Sequence, residues 1–160
     1  MQLDDSKDTV FRYRIPNSGQ ILELSDPVIE IFKFYRQTGG KPEAGGLLFA
    51  ELCLPRIIIK QATTPHKLDK RSKFSFIPYR KPQKDIISQF FNTDLHFVGE
   101  WHTHFQRNPS PSIIDLHSMQ DSFLKSKHEL NAFIMIIVGS YTPGLRLWIS
   151  LHNENGFQRL

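Results

Sequence analysis

His102 and His104 stand two residues apart, and Ser112 and Asp115 follow them, so that residues 102–115 read H-x-H-x₇-S-x-x-D. Two histidines at alternate positions of an extended segment project to one side. Ser112 is of the type that caps a helix N-terminus, and Asp115 then falls in the first turn of that helix. A strand ending in the histidines and a helix beginning at the serine would bring two imidazoles and a carboxylate together. Such a set leaves the fourth corner of a tetrahedron open to water, which is the pattern of a catalytic rather than a structural zinc site. The same residues also fit plain helix capping, in which Ser112 and Asp115 serve only the helix end.

A second cluster favours the metal. Glu43 precedes Gly45-Gly46 and the apolar run Leu47-Leu48-Phe49-Ala50. Gly-Gly permits a crowded backbone, and the run after it reads as a buried strand. An acid held there could act as general base toward a zinc-bound water. Glu100 competes for that role, because on an extended strand it shares the parity of His102 and His104; it could equally orient an imidazole. The remaining histidines, His66, His96, His117, His128 and His152, are expected to be structural or on the surface. Trp101 alternates away from the histidines toward the core, and Thr103 belongs to the backbone scaffold.

Glu43 with Gly45-Gly46, together with His102, His104, Ser112 and Asp115 at their spacing, resembles the JAMM (MPN+, JAB-domain) metallopeptidases. Gly99-Glu100-Trp101-His102-Thr103-His104 and Pro109-Ser110-Pro111-Ser112 are most similar to the bacterial stand-alone JAB proteins of CBASS anti-phage operons and integrative elements. The resemblance covers about residues 11–155. It implies one Zn²⁺ per chain held by His102, His104 and Asp115, with Glu43 as general base and Ser112 stabilising the oxyanion. It implies a zinc isopeptidase that removes a ubiquitin-like modifier, or a target joined through its C-terminal tail, such as a cyclic-nucleotide-synthesising nucleotidyltransferase. A peptidase of a small sulfur-carrier protein and a non-catalytic MPN binding module are the alternatives. Two positions depart from the family pattern: Phe105 stands where proline usually follows the second histidine, and Ala50 stands where glycine is common. Both bear on loop geometry and neither removes a ligand.

The elements that must position these residues are legible in outline. Alternating or apolar runs predict strands at 11–15, 21–24, 46–51, 56–62, 73–77, 95–101, 132–138, 145–151 and 156–159. Helices are expected from Ser25 to Gln37, over 82–92, and over 112–127, the last with an apolar side of Ile113, Ile114, Leu116, Met119, Phe123 and Leu124. This mixture predicts an α+β fold with a single mixed, curved sheet flanked by helices, which in the resembled family is the JAB/MPN, cytidine-deaminase-like fold. Residues 1–8 are expected to be a loose N-terminus and 9–160 one domain.

Composition bounds the rest. Of 160 residues, 39% are hydrophobic and 22% charged, as in an ordinary globular domain. No apolar run reaches membrane-span length, and the acidic start carries no secretory signal. A lone cysteine, Cys53, excludes an intramolecular disulfide and a Cys-based zinc cluster, including that of cytidine deaminases. Cys53 is expected to be a small buried residue, and the chain cytoplasmic. The net charge of +4 is concentrated between His66 and Lys84, where seven Lys and Arg face only Asp69. That stretch reads either as a solvated loop or as a docking surface for an acidic partner, without a nucleic-acid motif.

Overall fold

The apolar run at 133–138 is the strand on which the architecture rests. In the structure, a computed structural model that describes residues 11–160, the elements are β1 (Arg12–Arg14), β2 (Ile21–Leu24), α1 (Asp26–Tyr35), β3 (Gly45–Cys53), β4 (Arg56–Ala62), β5 (Lys70–Ser72), β6 (Ser75–Ile77), α2 (Gln83–Phe91), β7 (His96–Thr103), α3 (Ile113–Lys125), β8 (Phe133–Val138), β9 (Leu147–Asn153) and β10 (Gly156–Arg159). The loose segment expected at 1–8 lies outside the described residues. β8 is buried along its whole length. Its side chains alternate between two cores: Ile134, Ile136 and Val138 pack with Val28, Ile29 and Phe32 of α1, while Phe133, Met135 and Ile137 pack with Met119 and Phe123 of α3. Each such side chain contributes roughly 1.5–3 kcal/mol on burial, which is why an unbroken apolar run occupies the middle layer.

Eight strands form one mixed sheet in the order β1-β2-β4-β3-β7-β8-β9-β10. β2 with β4 and β7 with β8 are parallel, and the other neighbours are antiparallel. Parallel strands require a crossover, and α3 supplies it between β7 and β8. The C-terminal end of β7 and the N-terminus of α3 therefore meet at one end of the sheet, where open α/β sheets place ligands. The α+β expectation is met.

Several local expectations change. α1 stops at Tyr35 rather than Gln37. The strand expected at 73–77 is a hairpin of β5 and β6, with Lys73 and Phe74 at its tip. Asp69 organises the segment before it, accepting from the backbone N–H of His66 (2.6 Å) and Tyr79 (2.7 Å). Cys53 is exposed, because it ends β3 where the hairpin with β4 runs beyond the helices. Ile113, Ile114 and Leu124 are also exposed, so α3 buries a narrower stripe than its sequence suggests. His152, by contrast, is buried. No helix among the described residues is long and apolar enough to cross a membrane.

Candidate active site

Thr103 anchors the end of β7. Its N–H donates to Ala44 O (2.8 Å), and its hydroxyl oxygen accepts from Ala44 N–H (3.0 Å) while donating to Gln37 Oε1 (3.2 Å). Gln37, fully buried, donates in turn to Lys41 O and Lys73 O. The buried threonine thus ties the strand of histidines to the segment that carries Glu43 and to the β5–β6 hairpin. With Thr103 turned inward, His102 and His104 project to the opposite side.

Their Nε2 atoms lie 3.1 Å apart, and Asp115 Oδ2 lies 3.4 Å from His102 Nε2 and 3.2 Å from His104 Nε2. Ligands held at zinc's usual bond lengths in a tetrahedron lie roughly 3.3 Å apart, so the three atoms fit one small cation as they stand. All three residues are half-buried. The helix cap and the candidate ligand set share one carboxylate here. Ser112 Oγ accepts from Asp115 N–H (3.0 Å), and Asp115 Oδ2 accepts from Ser112 N–H (2.8 Å), a reciprocal capping box. That box aims Oδ2 at the histidines and leaves the Ser112 O–H free to donate.

Glu43 is 8% exposed and lines the same cleft. Extending the register in which Gly45 opposes His102 puts it across from His104. Its backbone is held at both ends, since its N–H donates to Ser72 O (2.8 Å) and its carbonyl accepts from Arg71 Nε (2.7 Å). Gly45 and Gly46 permit this packing. A Cβ on Gly45 would sit 2.6 Å from the Phe76 ring, and one on Gly46 would sit 2.1 Å from Thr63 O.

Burial pushes the Glu43 carboxyl above its usual range, and the two imidazoles oppose that shift. For Asp115, burial acts upward, but hydrogen bonds from His102, His104 and the Ser112 N–H outweigh it and hold the carboxyl well below the ordinary range. Burial disfavours a charged His104, yet its contact with Asp115 carries it above the usual imidazole value.

Glu100 lines the cleft as its parity predicts, but its carboxylate is paired with Arg80 (2.8 Å) rather than with an imidazole. The cleft, about 570 Å³, runs between the β5–β6 hairpin and the first turns of α3, with Phe74, Phe76, Ile77, Phe105 and Ile114 on its walls. Of the basic residues at 66–84, Arg71 holds Glu43, Arg80 holds Glu100, and Lys73 lies over the Phe105 ring at 4.3 Å. Part of that charge therefore builds the cleft wall. Gln37 and Gln106 were not singled out by sequence: glutamine has no motif, Gln37 reaches residues distant in the chain, and Gln106 meets its near neighbours His104 and Ser110 only through the loop conformation.

A family model for prokaryotic homologs of the JAB domain matches residues 29–150. Two curated relatives carry the name CD-NTase/cGAS isopeptidase. One, from Escherichia coli, is 29% identical over 147 residues, covering 89% of this chain and 88% of the relative. Another, from Pseudomonas aeruginosa, is 28% identical over 123 residues, covering 74% and 77%. The solution structure of protein DSY2949 from Desulfitobacterium hafniense superposes with a TM-score of 0.64 over 87% of this chain and 89% of that one, at 17% identity, a likeness of fold alone. With the family model spanning residues 29–150, from within α1 into β9 and so well over half of the sequence, the chain belongs to the prokaryotic JAB-domain family.

Proposed function

We propose that this protein is a zinc-dependent isopeptidase. It hydrolyses the amide between the C-terminal tail of a protein and a target amine. By analogy with the names of its relatives, the tail is that of a CD-NTase, a cyclic-nucleotide-synthesising enzyme, or of a ubiquitin-like modifier, and the work belongs to cytoplasmic anti-phage (CBASS) signalling. The observation that carries the reading is the convergence of His102 Nε2, His104 Nε2 and Asp115 Oδ2 in the cleft that Glu43 lines.

His102, His104 and Asp115 would hold one Zn²⁺. When bound, the ion supplies a nucleophile near neutral pH by acidifying a water, and it polarises the scissile carbonyl. Glu43 takes the proton of the attacking water and returns it to the leaving amine. Burial suits it to both halves of that task, because a raised carboxyl pKa lies nearer the working pH. The Ser112 O–H, whose oxygen is already held by Asp115 N–H, donates to the carbonyl oxygen as charge develops there. The walls formed by Phe74, Ile77 and Ile114 give an extended tail apolar surface on both sides of the reacting bond.

The test is cleavage of a CD-NTase fused through its C-terminal tail to a reporter, with and without a chelator, beside the zinc content of the purified protein. Stoichiometric zinc and chelator-sensitive cleavage are expected. Cleavage that survives complete metal removal, or that persists in Glu43→Gln, overturns the reading.

A further inference from the structure

The loop from His104 to Ser112 joins the last two proposed ligands, His104 at its start and Asp115 in the first turn of α3, and Phe105 stands in it where the family resemblance leads one to expect proline. Phe105 does not stiffen the loop. It turns outward, 43% exposed, toward Phe74 and beneath Lys73. The loop is fixed elsewhere. Ser140 N–H donates to Gln106 O (2.8 Å), and Ser110 N–H donates to the side-chain Oε1 of Gln106 (3.0 Å). Gly139 lets the end of β8 press close, since a Cβ there would lie 2.9 Å from both Gln106 O and Arg107 O.

Gln106 Oε1 has a second neighbour, His104 Nδ1, at 3.2 Å. A side-chain amide presents an accepting oxygen on one side and a donating nitrogen on the other. A backbone N–H can only donate, so Ser110 requires the oxygen at this position. An amide oxygen can only accept, so His104 Nδ1 must carry the ring proton. The lone pair of a neutral His104 then lies on Nε2, the atom 3.1 Å from His102 Nε2 and 3.2 Å from Asp115 Oδ2.

We propose that Gln106 is a positioning residue that locks the His104 ring in the orientation and tautomer a cation at this site requires. The inference deepens the metal-site reading above and rests on it. Ligand imidazoles are commonly held through their second nitrogen, and loss of that partner costs about 10–100-fold in metal affinity. Here the partner also bonds the loop backbone, so one side chain sets both the ring and the turn that carries it.

The test uses the full-length chain, stripped of metal and titrated with zinc against a chromophoric chelator, and ¹⁵N ring shifts of His104 in the metal-free protein at mildly alkaline pH. Gln106→Leu should bind zinc about 10–100-fold more weakly and lose the preference for a proton on Nδ1. Gln106→Glu, which keeps an accepting oxygen, should retain the parent affinity within a few fold. Unchanged zinc affinity in Gln106→Leu, or a parent ring protonated on Nε2, overturns the proposal. If Gln106→Leu also unfolds, Gln106→Glu decides: retained affinity supports the proposal, and an equal loss overturns it. A parent that binds no zinc defeats the metal reading instead, and the tautomer measurement still judges Gln106.

Discussion

Two polar clusters sit on the sheet face that α3 covers, and they are built alike. His102 and His104 alternate at the end of β7; Ser150 and His152 alternate on β9, beyond the single intervening strand β8. The β9 cluster closes on itself. Trp148 Nε1–H donates to Ser150 Oγ (3.0 Å), and Ser150 Oγ is hydrogen-bonded to His152 Nε2 (2.8 Å). Ser150 and His152 are fully buried, and no sealed side-chain polar atom among the described residues lacks a partner. The β7 cluster does the reverse. Lone pairs of His104 and Asp115 converge with His102 Nε2 within 3.4 Å at the floor of an open cleft. Only a proton or a cation among them relieves that convergence. A histidine whose contacts are met within its own cluster is architecture, and one beside crowded acceptors in a cleft is a candidate ligand.

The largest expected contrast is in rate. Glu43→Gln should lower cleavage about 10²–10⁴-fold while leaving the melting temperature unchanged or slightly higher, since a carboxyl whose charged form burial disfavours is replaced by a neutral amide. His152→Phe should do the opposite, lowering the melting temperature with little change in cleavage per folded molecule. Activity assays beside thermal melts check both. A His152→Phe protein that folds fully yet has lost cleavage would abolish the distinction between the clusters.

Metal removal should come next. A cation bound at about a thousand times its dissociation constant stabilises by roughly 4 kcal/mol, so chelation should lower the melting temperature of the parent by on the order of 10 °C. Asp115→Asn should show little response to the chelator, and Ser150→Ala should respond like the parent. Calorimetry with and without chelator separates these cases.

Ser150→Ala should cost about 1–3 kcal/mol, the penalty for leaving the Trp148 N–H and His152 Nε2 unpaired in a sealed interior. Denaturant unfolding measures it. A cost near zero means that water replaces the hydroxyl and that the β9 cluster is not sealed.

The two clusters also mark how far the sequence can be read. His102, His104, Ser112 and Asp115 are legible because strand parity and a helix cap are short-range devices, Glu43 is legible only from its place before Gly45-Gly46 and the family pattern, and the structure brings all five to one cleft. The long apolar strand at 133–138 is legible because burial on both faces needs no periodicity. His152 is not, because its burial follows from Phe157 stacking on it across the β9–β10 turn and from Phe133 beside it in the register. Gln37 is not, because its partner Lys73 lies more than thirty positions along the chain, and Gln106 is not, because its partners His104 and Ser110 are near in sequence but meet it only through the fold of an irregular loop. Ile113 and Ile114 mislead for a physical reason. Periodicity shows that a helix has an apolar stripe, but not that its first turn overhangs an open cleft with nothing packed against it.

The smallest expected effect is the most discriminating, because the two clusters should respond to acid with opposite sign. Burial lowers His152 to about 4, below its value in the unfolded chain. Between about pH 6.5 and 4 the unfolded chain binds the extra proton. The contribution of His152 is therefore complete above that window and is lost as pH falls through it, by roughly 1 kcal/mol at pH 5.5. His104 is raised despite burial, by Asp115. In metal-free protein its contribution is complete below the unfolded value and is lost as pH rises through the folded one. Stability of the stripped protein, measured by denaturant unfolding from pH 5.5 to 8, should thus contain two opposing slopes. His152→Phe should remove the part that rises with pH and leave the part that falls. Asp115→Asn should remove the share of the falling part that His104 contributes, leaving that of the burial-raised Glu43, and leave the rising part untouched. If both variants change the slope in the same direction, the clusters titrate as one unit, and the separation drawn from their hydrogen bonding does not hold.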